Sequence, residues 1–160
     1  MPAWSSISLA NCYAYGLRPA IDAAFNHAED DTERDAWFAV LRNNVVARIR
    51  AKIQRRTGQA LDATTSTVPP EFAELATLRT LEAIYDRANS LLGENEQRFR
   101  LTQGQRDRLS DLETELNGIT VVTTPTTPET APAVVFDDGA PSPSMSSPTR
   151  NWSRDNQDGL

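Results

Sequence analysis

Thr67-Val68-Pro69-Pro70 decides how this chain folds. Proline has no backbone N–H and its ring collides with the preceding helical turn, so Pro69 cannot continue a helix. Pro70, followed by Glu71, suits the first turn of a new one, where the missing donor costs nothing. Helix-forming sequence flanks the break, over residues 32–57 before it and 71–92 after it. The chain must double back here, laying one long helix against another as an antiparallel hairpin.

The helix before the break would run about 39 Å at ~1.5 Å per residue. Glu33 and Asp35 stand in its first turn and Arg55 and Arg56 in its last, both placements that favour the helix dipole. Gly58 is the expected terminator. Its apolar residues Trp37, Leu41, Val45, Ile49 and Ile53 recur at every fourth position. Each such step advances about 40° around the axis, so the stripe winds by roughly 160° from end to end. Phe38 and Val46 widen it. A winding stripe implies different neighbours at its two ends, one of them a candidate second subunit.

The helix after the break carries Phe72, Leu75, Leu78, Leu81, Ile84, Tyr85, Ala88, Leu91 and Leu92. Glu71, Arg79, Glu82, Asp86 and Arg87 gather on its opposite arc, and Gly93 stops it. A further helix opens at Thr102-Gln103-Gly104-Gln105, which fits a capping box, and shows Leu109, Leu112 and Leu116 on one face before ending at Gly118. Upstream, Ser8 can cap a short helix that ends at Gly16, with Leu9, Cys12 and Tyr13 on one face. Pro19 begins another, over residues 20–28, with Ile21, Ala24 and Phe25 apolar. Glu29-Asp30-Asp31 then closes that segment and caps the next.

Composition changes after Gly118. Ile119-Thr120-Val121-Val122-Thr123-Thr124 is β-branched and would pair as a strand if given a partner. From Pro125 onward the chain is rich in Pro, Ser and Thr, interrupted by Val134, Val135, Phe136 and Trp152. Alone, such a segment buries too little apolar surface to offset its ordering entropy. The expected fold class is therefore all-α: a helical bundle of about five helices over residues 1–118, then an extended, mostly irregular arm over 119–160.

The totals bound the function. One hundred and sixty residues make one domain, and a net charge of −6 argues against a chain built wholly to coat nucleic acid. Its cations are 15 arginines and one lysine, Lys52, a bias that suits protein contacts and equally follows from genomic base composition. Cys12 is alone, so no intrachain disulfide forms and the reducing cytosol is the default compartment. The N-terminus lacks a basic stretch followed by an apolar run, and no apolar stretch approaches the ~20 residues of a membrane span.

Enzyme chemistry has little to work with. His27 has no converging partners and reads as a surface or helix-end residue. Cys12 has no nearby cation and reads as a buried small apolar side chain. The acids between Glu29 and Asp35 lack the spacing of a calcium loop, and capping explains them. No glycine-rich phosphate loop is present. No catalytic, cofactor-binding or metal-binding residue is expected.

The run Arg42, Arg48, Arg50, Lys52, Arg55, Arg56 contains no acid. Arg48, Lys52 and Arg55 fall within about 60° of one another on a helical wheel. Three readings stand: a solvated helix face, an inter-subunit contact, or a phosphate-binding surface. Because this helix begins acidic and ends basic, it suits head-to-tail contacts, which close into rings when the rotation permits.

The order of elements also carries a resemblance. Ile49-Arg50-Ala51-Lys52-Ile53 ends an arginine-rich helix and a Thr-containing loop leads to Val68-Pro69-Pro70. A helix follows through Leu75-Ala76-Thr77-Leu78, then a last one reading Leu109-Ser110-Asp111-Leu112-Glu113-Thr114-Glu115-Leu116-Asn117-Gly118-Ile119. This resembles the Mu-like phage head-completion proteins, and more broadly the helical head–tail adaptor (neck) proteins that connect a tailed phage's portal to its tail. The likeness spans roughly residues 45–122. The first 30 residues and the tail after Pro125 have no counterpart in the family, whose second helix often carries more arginine than 71–92 does here.

The resemblance implies a non-enzymatic virion component assembled in the host cytoplasm: a homo-oligomeric ring that bridges the portal protein to another neck or tail protein. Such a ring continues the DNA channel and touches packaged DNA without reading its sequence. No membrane, cofactor or small-molecule substrate is implied. Arg48, Lys52, Arg55 and Arg56 would face a neighbouring subunit or the channel. The arm would clamp neighbours through Val134, Val135, Phe136 and Trp152, adding a strand to a partner. The alternative is a small nucleic-acid-binding regulator using the basic helix 42–56, although 58–70 is too long for a helix-turn-helix.

Overall fold

A computed structural model describes residues 3–92 and 99–130. Among these residues the chain is a small helical bundle, with five α-helices and one two-stranded sheet. β1 (Ser5–Ser6) leads into α1 (Leu9–Tyr15) and α2 (Arg18–Phe25), and α3 (Asp31–Thr57) follows. β2 (Thr67–Val68) and a 3-10 turn (Pro70–Phe72) then lead into α4 (Ala73–Leu92), and α5 (Gln103–Gly118) comes last.

Several helix boundaries have a local cause. Ser8 caps α1 by a reciprocal capping box with Asn11, and Gly16 closes the helix through its N–H to the Cys12 carbonyl (2.8 Å). A Cβ placed on Gly16 would lie 2.5 Å from Leu81 Cδ1 and 2.9 Å from the Cys12 carbonyl oxygen, so the link to α2 passes too close to α4 for a larger residue. Asp30 caps α3 by accepting from the Glu33 N–H at 2.8 Å, and Glu33 reaches back to the Glu29 N–H at 2.7 Å. At its far end Gly58 takes the left-handed conformation (φ 65°), which costs glycine nothing. The capping box at Thr102 and Gln105 opens α5 as expected.

The Pro69-Pro70 break reverses the chain. Arg87, late in α4, stacks on Trp37, early in α3, at 4.5 Å, while Lys52 and Leu75, at the opposite ends, border one groove. The two helices therefore run antiparallel. Pro70 opens the 3-10 turn, whose first bond runs from the Phe72 N–H to the Pro69 carbonyl (2.9 Å), and the α-helical ladder starts at Ala73.

α4 is the central element, and α1, α2, α3 and α5 all pack against it. Its buried set, Leu75 to Ala88, covers most of its circumference and includes Thr77 and Thr80, whose hydroxyls donate to the carbonyls one turn back. Leu109, Leu112 and Leu116 complete the core from α5. On α3 the buried apolar residues are Phe38, Val46, Ile49 and Ile53, while Trp37, Leu41 and Val45 of the winding stripe are half-buried. Trp37 lies under Arg87 of α4, while the other end meets the 59–70 connection.

That connection is an organised loop. Leu61 turns inward, as its apolar side chain requires, and β2 pairs antiparallel with β1 in the register Ser5 to Val68 and Ser6 to Thr67. Residues 119–130, expected to begin the arm, lie across this loop. Val122 is buried, its N–H donating to Gln59 Oε1 (2.7 Å), and the Thr123 N–H donates to Glu71 Oε1 (2.7 Å). Trp4 donates its indole N–H to the Thr123 carbonyl (2.7 Å). The Ala63 and Glu129 N–H groups then form bonds of 2.7 and 2.6 Å to the Thr127 and Leu61 carbonyls. Ile119–Thr124 is not a strand: the Val122 and Thr123 donors go to side chains of the loop and of the turn before α4, not to a neighbouring ladder.

Candidate functional site

α3 places its cations by the same spacing that buries its isoleucines. Ile49 and Ile53 point into the core, and Arg48 and Lys52, one residue before each, fall at the rim of the seam where α3, α4 and α5 meet. The seam opens as a groove of about 400 Å³. Val45, Ile49, Leu75, Ala83 and Leu116 give it an apolar lining, with Arg48 and Lys52 on the α3 side. Arg79, Glu82, Asp86 and Glu113 line the side built by α4 and α5.

The charges on the second side are mutually engaged. Arg79 donates Nε to Glu113 Oε1 at 3.0 Å, and its two terminal nitrogens reach Glu82 and Glu113. Burial opposes the charge on this guanidinium, but the two glutamates more than offset it and raise its pKa. Asp86, one turn beyond Glu82, has its carboxyl pushed above the ordinary range, first by burial and then by the Glu82 charge. Arg48, Lys52 and Arg56 form no ion pair with any described residue. Arg55 and Arg56 are exposed in the last turn, where Arg55 Nε donates to the Ala51 carbonyl at 3.2 Å.

Two members of the basic run belong to the fold instead. Arg50 is 6% exposed. It donates to the carbonyls of Thr64 (3.1 Å), Thr67 (3.0 Å) and Asp62 (2.6 Å), and its guanidinium lies 5.3 Å from the centre of the Trp4 ring. Burial lowers its pKa, against the opposing pull of Glu129 and Asp62. Arg42 donates to the Ile7 carbonyl at 3.4 Å and stacks on Phe38. The wheel held a signal for Arg50: it lies about 40–60° from Val46 and Ile53, on the core side of the helix. The Arg79–Glu82–Glu113 cluster, by contrast, joins α4 to α5 across 34 residues, and no local pattern announces it.

The remaining candidates fall as follows. Cys12 is fully buried, and desolvation pushes its thiol from 9.0 up to about 12. His27 is exposed just beyond α2. Among the described residues no three of His, Cys, Asp and Glu converge as metal ligands, and no helix is long and apolar enough to cross a membrane. Val134, Val135, Phe136 and Trp152 lie outside the described residues. Compared with models of protein families, with curated proteins and with solved structures, the chain matches none.

Proposed function

We propose that this chain is a structural component of a phage neck, an adaptor that assembles as a ring between the portal and the tail or next neck protein. The observation that carries the reading is the α3 rim. Arg48 and Lys52 are left without ion pairs among the described residues, in a chain of net charge −6, beside a groove with an apolar lining. Cations kept unpaired next to apolar surface suit a contact with another macromolecule better than a purely solvated face. The likeness over residues 45–122 to head-completion and adaptor proteins supplies the rest of the proposal.

Two of the six cations in helix 42–56, Arg42 and Arg50, are occupied by the chain's own carbonyls and rings. That leaves a narrower positive surface for a nucleic-acid regulator than the sequence offered.

Electron microscopy of the purified full chain, alone and mixed with a portal oligomer, tests the proposal. A ring with an opening that admits duplex DNA is expected in at least the mixture. A chain that remains monomeric under both conditions refutes it.

A further inference from the structure

We infer that the groove between α3, α4 and α5 receives the segment Val134-Val135-Phe136-Asp137-Asp138 from a second copy of this chain. The inference rests on the ring proposed above and names the contact that would hold neighbours together.

The groove asks for an occupant with apolar side chains followed by negative charge. Val45, Ile49, Leu75 and Leu116 line it, and Arg48 and Lys52 border one side without ion pairs among the described residues. Its volume, about 400 Å³, lies at the small end of sites that enclose a few side chains. Within residues 131–160, Val134-Val135-Phe136-Asp137-Asp138 is the one place where large apolar residues run directly into a pair of acids. The facing side fixes the orientation: Arg79 is taken up by Glu82 and Glu113, and with Asp86 the side keeps a net negative charge that leaves the α3 rim as the place of the aspartates.

The choice between the chain's own groove and a neighbour's follows from where residues 119–130 are held. Asp62 pairs with Pro128, and the Glu129 N–H donates to the Leu61 carbonyl. This is the loop that Arg50 grips through the Asp62 carbonyl. Arg50 sits two residues from both Arg48 and Lys52, hence about 160° around the axis from each. The chain therefore passes residue 129 on the side of α3 away from its own groove. From Glu129 to Val134 it spans at most about 17 Å. Half the circumference of a helix ~10–12 Å across is of the same length, so its own groove could be reached only by a taut wrap. A neighbour's groove needs no wrap. Donor segment and acceptor groove on opposite flanks of one protomer make a head-to-tail interface, the kind that closes into rings.

The test uses the full chain and two variants, Phe136→Ala and the double substitution Arg48→Glu with Lys52→Glu, read by native mass spectrometry and sedimentation velocity. Wild type is expected to form oligomers, and each variant to associate at least tenfold more weakly. Mixing the two variants should give 1:1 heterodimers and nothing larger, because one partner keeps a sound arm and the other a sound groove. Adding Asp137→Lys and Asp138→Lys to the groove variant should restore assembly. Variants that keep the wild-type mass overturn the inference while leaving a ring held by other surfaces intact. A wild-type chain that forms rings only with the portal also overturns it and spares the ring reading. A monomeric wild type whose melting temperature falls on Phe136→Ala, independently of concentration, would place the segment in its own groove.

Discussion

Arg50→Ala should unlatch the loop between the two long helices at a cost of about 3–5 kcal/mol. The side chain satisfies three carbonyls, two of them, Thr67 and Asp62, in fully buried bonds. A buried acceptor left without a donor costs about 1–3 kcal/mol, so the two together bring roughly 2–6 kcal/mol. The stack on Trp4 adds about 0.5–2 kcal/mol. Water entering the vacated space returns part of the sum, which sets the expectation in the middle of the range. The loss should appear in urea unfolding followed by far-ultraviolet circular dichroism as a lowered midpoint with an unchanged slope. Arg50→Lys keeps the charge but not the planar fork that serves three acceptors, and should lose about half as much. Native-state hydrogen exchange separates local from global effects. The Ala63 and Glu129 amides, which tie the loop to residues 127–129, should exchange faster than in an equally destabilised core variant. An alanine variant within about 1 kcal/mol of wild type, with those amides still protected, would refute the clamp.

Leu81→Ala and Ile84→Ala remove side chains of zero exposure from the central helix and should each cost about 2–5 kcal/mol in the same unfolding assay. Gly16→Ala presses a methyl group against Leu81 and the Cys12 carbonyl and should cost about 1–3 kcal/mol by overpacking, a loss that pairing with the smaller Leu81→Val relieves in part. Cys12, buried and with its thiol raised to about 12, should react with a maleimide at neutral pH only at the rate of unfolding, so labelling followed by mass spectrometry counts opening events. Asp62 is held below the ordinary carboxylate range: burial works against this, but hydrogen bonds from Thr64, Thr127 and Thr67 prevail. Its contribution is complete above the unfolded value near 3.9 and lost as pH falls through the lower folded value, so wild type should weaken below about pH 4 and Asp62→Asn should flatten that decline.

What the sequence made legible was local. Ser8, Thr102 with Gln105, Asp30 and Gly58 each act on groups within four residues, and all four mark helix ends where expected. The spacing of Leu109, Leu112 and Leu116, and the apolar positions from Phe72 to Ala88, fixed which faces are buried for the same reason. What escaped was set by distant partners. Ser5 and Ser6 carry no strand signal, and they pair because Trp4 and Ile7 on either side are buried. Ile119–Thr124 carried a strand signal and forms none: Gln59 and Glu71, 63 and 52 residues away, take the Val122 and Thr123 donors. Within the basic run the helical wheel set only Arg48, Lys52 and Arg55 apart as a stripe. The structure divides the run between a clamp at Arg50, a brace at Arg42 and an open rim at Arg48 and Lys52, by angles that differ only through their register with Val46, Ile49 and Ile53.

The Pro69-Pro70 reversal and the path of residues 119–130 turn out to be one construction. The two prolines set the loop between α3 and α4, Arg50 holds that loop from within α3, and residues 122–129 cross it with hydrogen bonds to Gln59, Glu71, Leu61 and Asp62. The chain just before residue 130 is therefore tied by hydrogen bonds to the folded helices and their loop. If residues 134–138 fill a neighbour's groove as inferred, the shorter the tether between root and anchor, the higher the local concentration at which the anchor meets that groove. Loosening the root should then weaken assembly without touching either contact surface. Arg50→Lys offers that separation: an oligomer that weakens with Arg50→Lys while Phe136, Arg48 and Lys52 remain native would tie the strength of assembly to the clamp itself. An oligomer indifferent to it would mean that the arm works as a free tether.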